Sequence, residues 1–298
     1  MPYDVHVLDL QAVLAHAGNR RAKRARTRHE RNQRALRPSR KNELWYHDEL
    51  SALVRHLDTT ARAEMHGLKG IWPAVHDAQP VDEVIHRIAK KFGGIDAVAE
   101  RLAHAASLRN KGAADARAIE VIRRAVGVDI TGALSGQGRI AEAMRRATAW
   151  NVQLIKSIPE EYLGKLGAAV GEAWEQGRRW EDIAAVLDHV GDVTESRVEI
   201  IARDQTAKMN SAFSRVRMLD VGVAHYEWMT AGDERVRGNP DGKYPDAESD
   251  HWDLDGKIFR FDEPGPCRGT VDGEPCHPGE DILDRCNALP VFNVEAAA

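Results

Sequence analysis

The chain has 298 residues, of which 43% are hydrophobic and 30% are charged. This composition predicts a soluble globular protein with one large domain or two ordinary ones. No apolar run approaches the ~20 residues that span a bilayer, so we expect no membrane partner. The first residues lack a basic segment followed by an apolar one, and we therefore expect no secretory signal.

The net charge of -4 conceals a strong asymmetry between the two ends of the chain. From residue 20 to residue 41 there are eleven Lys/Arg against one acid, Glu30. From residue 230 to the end there are sixteen Asp/Glu against seven Lys/Arg. One end is thus polycationic and the other acidic, which indicates separate roles.

The basic segment 1–41 has two interpretations. The few apolar residues of 20–41 and the helix breaker Pro38 fit a solvated, partly disordered arm. Alternatively, this arm contacts the phosphates of double-stranded DNA or an acidic partner surface, with an affinity that falls steeply with salt. The run contains no aromatic residue, which favours backbone contact without base stacking. The candidate contact residues are Arg20, Arg21, Lys23, Arg24, Arg26, Arg28, Arg31 and Arg34.

Residues 42–155 are predicted to be a helical region. Apolar residues three to four apart are typical of helices, and glycines, prolines and caps suggest where each helix ends. The turn at Asn110-Lys111-Gly112 is expected to separate two helices, and the four glycines of 127–138 predict a loop. The predicted helices are 41–65, 81–92, 95–108, 113–126 and 139–157.

The helical pattern continues to residue 221. Pro159 is expected in the first turn of a helix at 160–176, because proline is tolerated there. A short helix is predicted at 183–190. Asp192 or Thr194 is then expected to cap a long helix that ends near residue 221.

After Gly222 the hydrophobic period changes from about 3.6 to two, which indicates strands. A strand is predicted at 223–230 with Tyr226 and Trp228 in the core, and further strands at 257–261 and 288–294. Residues 262–284 contain four prolines and four glycines and are expected to be irregular. The fold class is α+β, with a mostly α-helical N-terminal half and a small β-rich, loop-heavy C-terminal region.

One C-terminal stretch carries a family resemblance. It reads Trp-Met-Thr-Ala-Gly-Asp-Glu-Arg-Val-Arg from residue 228, and His251, an Asp-Gly pair, a Pro-Gly-Glu-Asp run and Cys286 follow. This order resembles the MuF-like head morphogenesis family of tailed phages, the minor head or minor capsid proteins. The family usually ends in Cys-Arg-Cys, whereas this chain has Asp284-Arg285-Cys286. The motif residues are Trp228, Asp233, Arg235, Arg237, His251, Asp255 and Gly256.

The resemblance implies a MuF-like domain at residues 156–293 and a function in viral capsid assembly. The chain would be a low-copy virion component of the phage head, made in the cytoplasm of the bacterial host. It would act in procapsid assembly near the portal and packaged DNA. The implied partners are the portal protein and the major capsid or scaffold protein. Enzymatic activity is not generally part of this family's function.

All three cysteines lie within residues 267–286. Without an export signal we expect free thiols or a metal site rather than disulfides. Zinc prefers thiolate and imidazole ligands, and a small, loop-rich domain gains stability from a metal. His277 is adjacent to Cys276, so only one of the two readily reaches a common centre. The candidate zinc ligands are His251, Cys267, Cys276 and Cys286; the alternative is that these are ordinary thiols.

Two further functions remain open. A metal-dependent nuclease could use an Asp/His cluster to position water on a phosphodiester. The residues for this are Asp233, Glu234, His251, Asp253 and Asp255. The same acids could instead close surface turns, with an ion pair between Asp233 and Arg235. The other alternative is a nucleic-acid-binding adaptor outside any virion.

Overall fold

The computed structural model describes residues 27–72, 79–135, 138–270 and 273–292. The weak pattern of residues 1–19 and the C-terminal tail from 293 lie outside the described residues. The side chain of Arg28 is not described either. Five candidate contact residues also lie outside: Arg20, Arg21, Lys23, Arg24 and Arg26.

The predicted α+β class is confirmed: the described residues form six α-helices and five short strands. Predicted helices 41–65 and 81–92 are observed within two residues of their expected bounds. The helices are α1 (Arg28–Arg34), α2 (Arg40–Met65), α3 (Gln79–Lys91), α4 (Ile95–Val126), α5 (Gly138–Glu175) and α6 (Trp180–Asp220).

The strands form two small antiparallel sheets. β1 (His225–Met229) lies between β2 (Ile258–Arg260) and β5 (Asn287–Val291). β3 (Cys267–Arg268) pairs with β4 (Pro275–Cys276), with Cys267 opposite Cys276. The three predicted strands are confirmed, whereas the stretch expected to be irregular contains this second, two-stranded sheet.

Three predicted helix breaks are wrong. α4 continues through Asn110 and Gly112, α5 continues through Pro159, and α6 continues through Thr194. Thr194 does not cap a helix, because its hydroxyl donates to the Val190 carbonyl one turn earlier. Proline inside a helix costs about 3 kcal/mol, so tertiary packing around α5 offsets this local preference.

Buried side chains on both sides of Pro159 identify that packing. Ile155, Ile158 and Tyr162 are fully buried, and the Tyr162 hydroxyl donates to the Asp58 carboxylate at 3.2 Å. Each buried aliphatic or aromatic side chain contributes roughly 1.5–3 kcal/mol. Three such side chains within two turns therefore exceed the cost of the missing backbone hydrogen bond.

The chain forms two compact units, and each unit is built from more than one segment of the sequence. The first contains the described residues up to Arg40, Ser107–Arg146 and the chain from Asp204 onward; the second contains Lys41–Ala106 and Ala147–Arg203. The sequence-based division after residue 41 lies one residue from a unit boundary. The division at 155/156 falls inside α5 and does not coincide with one.

The core of the first unit places the cysteines among its largest apolar side chains. Tyr226 and Trp228 are fully buried there, as predicted. Cys267, Cys276 and Cys286 are also buried in this core. The chemistry-bearing residues of the C-terminal region thus lie in a non-polar interior.

The basic segment is ordered from Thr27 onward, so its interpretation as a partly disordered arm is wrong for residues 27–41. Thr27 and Glu30 form a capping box at the start of α1. The backbone N–H of Leu36 donates to the Ala288 carbonyl of β5 at 2.8 Å. Arg117 of α4 donates to the carbonyls of three residues of this segment, Asn32, Gln33 and Ala35.

Among the helices of the described ranges, none is both long enough and apolar enough to cross a membrane.

Candidate functional site

The site is built around His251, whose imidazole is only 3% exposed. The Trp228 ring of β1 packs against it edge to face, with ring centroids 5.4 Å apart. His251 follows a loop that returns from Arg237, and the backbone N–H of Trp252 donates to the Arg237 carbonyl. The family motif therefore brings its tryptophan, arginine and histidine together around one buried ring.

The two ring nitrogens of His251 face different groups. Nε2 lies 3.0 Å from the Ser249 hydroxyl and 3.7 Å from Asp281. Nδ1 lies 3.4 Å from the Cys286 sulfur and 3.3 Å from Asp284. Nε2 thus faces an orienting network, and Nδ1 faces a sulfur and a carboxylate that both bind metals.

Asp281 is the buried anchor of the Nε2 side. Its carboxylate accepts hydrogen bonds from the Thr270 amide and hydroxyl and forms an ion pair with Arg237. Arg237 also donates to the Ile282 carbonyl at 2.7 Å. Burial alone would raise the pKa of Asp281, but the Thr270 hydrogen bonds more than offset it and hold that pKa below its usual range.

Asp284 and Cys286 lie together on the Nδ1 side. The Asp284 carboxylate accepts the backbone N–H groups of Gly279 and Cys286 at 2.7 and 2.8 Å. Burial opposes the ionised form, yet contacts with His251 and Cys286 keep the pKa of Asp284 below its usual value. Burial, followed by the Asp284 carboxylate, raises the pKa of the Cys286 thiol well above its usual value.

The other two cysteines form a disulfide across the β3–β4 pair, with Cα atoms 5.3 Å apart. The expectation of free thiols is therefore wrong for Cys267 and Cys276, because the strand register places them directly opposite each other. Cys286 is a free, buried thiol. The backbone at Cys276 lies so close to Gly265 that a Cβ atom there would meet the Cys276 carbonyl carbon at 2.0 Å.

The four candidate zinc ligands lie in two groups around His251. A ring nitrogen of His251 and the sulfur atoms of Cys267 and Cys276 lie within 4.8 Å of one another. A ring nitrogen of His251, an Asp284 oxygen and the Cys286 sulfur form a second such group. Both groups are buried and share His251, and neither group in the described residues contains all four predicted ligands.

The remaining motif residues connect loops. Asp233 is bound by the Arg285 guanidinium through two contacts of 2.6 Å, whereas Arg235 supplies only its backbone N–H at 3.0 Å. The expected Asp233–Arg235 ion pair is therefore replaced by Asp233–Arg285. Gly256 turns the chain with a φ of 78° and donates its N–H to the Trp228 carbonyl.

Asp255 is the carboxylate that holds Arg31 of the basic segment. Arg31 donates to both Asp255 oxygens at 3.1 Å and to the Trp228 carbonyl at 3.1 Å. Its Nε also lies 2.9 Å from buried Glu227 of β1. Arg31, a predicted contact residue for phosphates, thus has carboxylate partners within the chain. Arg34 is also one of the predicted contact residues, and its side chain is half-buried.

The five residues of the nuclease alternative are not assembled into one site. Asp233 pairs with Arg285, Glu234 pairs with Lys243, and Asp255 pairs with Arg31. Asp253 is exposed. Of the five, only His251 belongs to a group in the described residues that could hold a metal ion.

Sequence reasoning missed the polar framework of the site. Ser249, Asp281, Asp284 and Arg285 were not assigned roles, although the last three stand in the Pro-Gly-Glu-Asp and Asp-Arg-Cys runs. The signal that could have identified Asp281, Asp284 and Arg285 is their position in the sequence between Cys276 and Cys286. His277 lies elsewhere, because its Nδ1 faces the Tyr226 hydroxyl at 2.9 Å. Burial lowers the pKa of His277.

Comparisons with known proteins place this site in a wider context. Residues 165–289 match the family model described as "Phage Mu protein F like protein". A Haemophilus influenzae protein described as "Uncharacterized protein" is 30% identical over 261 residues, which is 86% of this chain and 54% of that protein. The chain therefore spans about half the length of this relative. No solved structure matches the chain significantly.

Proposed function

Residues 165–289 belong to the phage Mu protein F like family, and from this we propose that the chain is a minor capsid protein of phage head morphogenesis. In this proposal it is a low-copy virion component that joins the procapsid near the portal. The family match carries the proposal. It covers the last part of α5, all of α6, and the strands with the His251 site.

The way in which the motif residues are used supports a structural role rather than an enzymatic one. Arg237 and Asp255 are committed to internal ion pairs, and Asp233 is held by Arg285. Pairs of this kind fix loops against the sheet, because each joins segments far apart in sequence. We propose that they shape a rigid surface for a capsid or portal partner.

The basic residues that precede α1 supply the second part of the proposal. Arg31 and Leu36 attach this segment to the sheet of the first unit. The five cations from Arg20 to Arg26 therefore stand immediately before an anchored helix. We propose that they contact double-stranded DNA or an acidic face of the portal or scaffold protein, through charge and without base recognition.

Co-assembly tests this function. The full chain is co-expressed with phage portal, scaffold and major capsid proteins, and heads are separated by sedimentation. We expect the chain in the head fraction at a copy number far below that of the capsid protein. A variant with Arg20, Arg21, Lys23, Arg24 and Arg26 changed to Gln should show reduced incorporation.

The matched control removes five cations elsewhere: Lys69, Lys90, Arg101, Arg146 and Arg179, all exposed, changed to Gln. This control should enter heads as the unchanged chain does. If the full chain stays in the soluble fraction when heads form normally, the morphogenesis proposal is wrong. If both variants enter heads equally well, the basic residues have no role in recruitment.

A further inference from the structure

We propose that the reduced chain binds one zinc ion through His251, Cys267, Cys276 and Cys286. The disulfide between Cys267 and Cys276 would then be the oxidised, metal-free form of the same site. This inference is independent of the role in head assembly, because it rests on the side chains that meet at His251.

The donor atoms have the composition of a closed structural zinc site, and they lie around one imidazole ring in two groups. One imidazole nitrogen and three sulfurs match the Cys₃His set that holds zinc in a tetrahedron. A ring nitrogen of His251 and the sulfurs of Cys267 and Cys276 lie within 4.8 Å of one another. Nδ1 of the same ring lies 3.4 Å from the Cys286 sulfur. All four residues are buried, as in sites that exclude water.

His251 is oriented as a metal ligand. When its proton is on Nε2, that nitrogen donates to Ser249, which in turn lies 3.5 Å from the Asp281 carboxylate. Nδ1 then presents its lone pair to the Cys286 sulfur. Ligating histidines in proteins almost always donate their other nitrogen to such a partner, which fixes the tautomer and the ring orientation.

Two further features lie around the His251 ring. The Asp284 carboxylate is 3.3 Å from Nδ1 and would supply negative charge beside a metal ion bound there. The indole N–H of Trp228 is buried without a conventional hydrogen-bond partner among the described residues, and the Trp228 ring packs against His251. Buried donors normally have a partner, and this one is available to a ligand bound beside the ring.

The surrounding chain explains the need for a cross-link. Between β2 and β5 the described backbone forms only two strands of two residues each. Such a segment buries little apolar surface by itself and depends on a disulfide or a metal for its shape. Either link joins the β3–β4 pair, but only zinc would also join it to His251 and Cys286.

The two forms interconvert by a balanced reaction. A dithiol reductant gives two electrons and two protons to the Cys267–Cys276 bond and becomes a disulfide itself. Zinc binding then displaces three thiol protons, one from each cysteine. In the reverse direction a disulfide oxidant takes two electrons from Cys267 and Cys276 and two protons from solvent and becomes a dithiol. Cys267 and Cys276 rejoin as a disulfide, the zinc ion leaves, and Cys286 takes up one proton.

Metal content of the full chain provides the first test. The purified chain is reduced, supplied with zinc, freed of unbound metal and measured by elemental analysis. We expect one zinc ion per chain, and its loss when a disulfide oxidant is added. Cobalt(II) in place of zinc should give tetrahedral bands in the visible spectrum and a strong sulfur-to-metal band in the near ultraviolet.

Variants identify the ligands. Cys286→Ser and His251→Asn should each lower zinc affinity at least 10-fold, whereas His251→Cys should retain zinc because it replaces one soft donor by another. His277→Gln is the matched control: it changes a buried histidine next to Cys276 that faces Tyr226, and it should bind zinc as the unchanged chain does. Circular dichroism of each variant shows whether it has folded.

The proposal is overturned if the reduced, folded chain retains no zinc. It is also overturned if the cobalt form lacks the sulfur-to-metal band, or if folded Cys286→Ser and His251→Asn bind zinc as tightly as His277→Gln does. The cobalt spectrum is recorded on the unchanged chain, so the test stays decisive even where a variant fails to fold.

Discussion

The guanidinium of Arg31 holds the carboxylate of Asp255 through two hydrogen bonds of 3.1 Å, across 224 positions of the sequence. Burial alone would raise the pKa of Asp255, but hydrogen bonds from Arg31 and the Thr230 amide hold it below its usual value. Arg31 also approaches Glu227, whose side chain is only 7% exposed. One arginine of the basic segment thus compensates two acids of the C-terminal sheet.

We expect Arg31→Met to lower the free energy of unfolding by roughly 2–4 kcal/mol. The substitution keeps much of the side-chain volume but removes the guanidinium that lies 2.9 Å from buried Glu227 and binds Asp255, and breaking such a pair is costly. Urea unfolding followed by circular dichroism measures the change. Arg37→Met, at an exposed position of the same segment, should cost less than about 1 kcal/mol. Equal losses in both variants would contradict this role.

The Asp233–Arg285 pair should make stability depend on pH in the acid range. Hydrogen bonds from Arg285 lower the pKa of Asp233 in the folded chain. Its contribution is therefore present above the unfolded pKa of about 3.9 and is lost as the pH falls through the folded value. Because the Asp233 side chain is 39% exposed, solvent screening limits the contribution to about 1 kcal/mol.

The measurement compares the unchanged chain with Asp233→Asn in urea between pH 7 and pH 3. The difference in free energy of unfolding should be constant at neutral pH and shrink below pH ~4. A difference that stays the same over the whole range would mean that the charge of Asp233 does not act through this pair.

Gly265→Ala should disrupt the β3–β4 pair. The added Cβ would lie 2.0 Å from the Cys276 carbonyl carbon and 2.6 Å from the His277 nitrogen, and backbone atoms cannot yield as a side-chain end can. We expect a loss of about 2–4 kcal/mol in thermal or urea unfolding. Gly273→Ala controls for backbone strain, because it has a φ of 69° but open space around its Cβ, and should cost about 1–2 kcal/mol.

Gly112→Ala should stabilise the chain by roughly 0.5–1 kcal/mol. Gly112 lies inside continuous α4, and a Cβ there meets nothing within 4 Å. Alanine is favoured over glycine in a helix interior by about this amount. A loss of stability would instead support the turn at Asn110-Lys111-Gly112 that the local sequence suggests. Differential scanning calorimetry, with the change read at the melting temperature, decides between the two.

DNA binding by the basic residues, if it occurs as proposed, has a defined salt signature. Each phosphate neutralised contributes about -0.9 to the slope of log affinity against log salt. Replacing the five cations from residue 20 to 26 by Gln should therefore make the slope less negative by up to ~4.5. Fluorescence anisotropy with a labelled duplex measures it. An unchanged slope would place DNA contacts elsewhere or exclude them.

The local sequence pattern was sufficient to predict a helix or strand where its hydrophobic period was clear. The apolar stripe of residues 41–65 gave α2 within one residue, and the period-two stretch around Tyr226 gave β1. Local signals failed at Gly112, Pro159 and Thr194, where each residue has a weak preference for a break. There the burial of neighbouring side chains outweighed a local cost of about 1–3 kcal/mol.

The sequence by itself predicted the α+β class, the resemblance to the phage Mu protein F like family, and four candidate metal ligands. Residue types and motif order carry that information, because zinc affinity depends on donor chemistry and the family on its order of residues. Only the tertiary structure decided that Cys267 and Cys276 face each other. It also decided that Arg31 forms ion pairs with Asp255 and Glu227, and that Asp233 forms one with Arg285. These pairings depend on strand register and on the paths of the loops. Both bring together residues that are far apart in the sequence and that no local hydrophobic pattern connects.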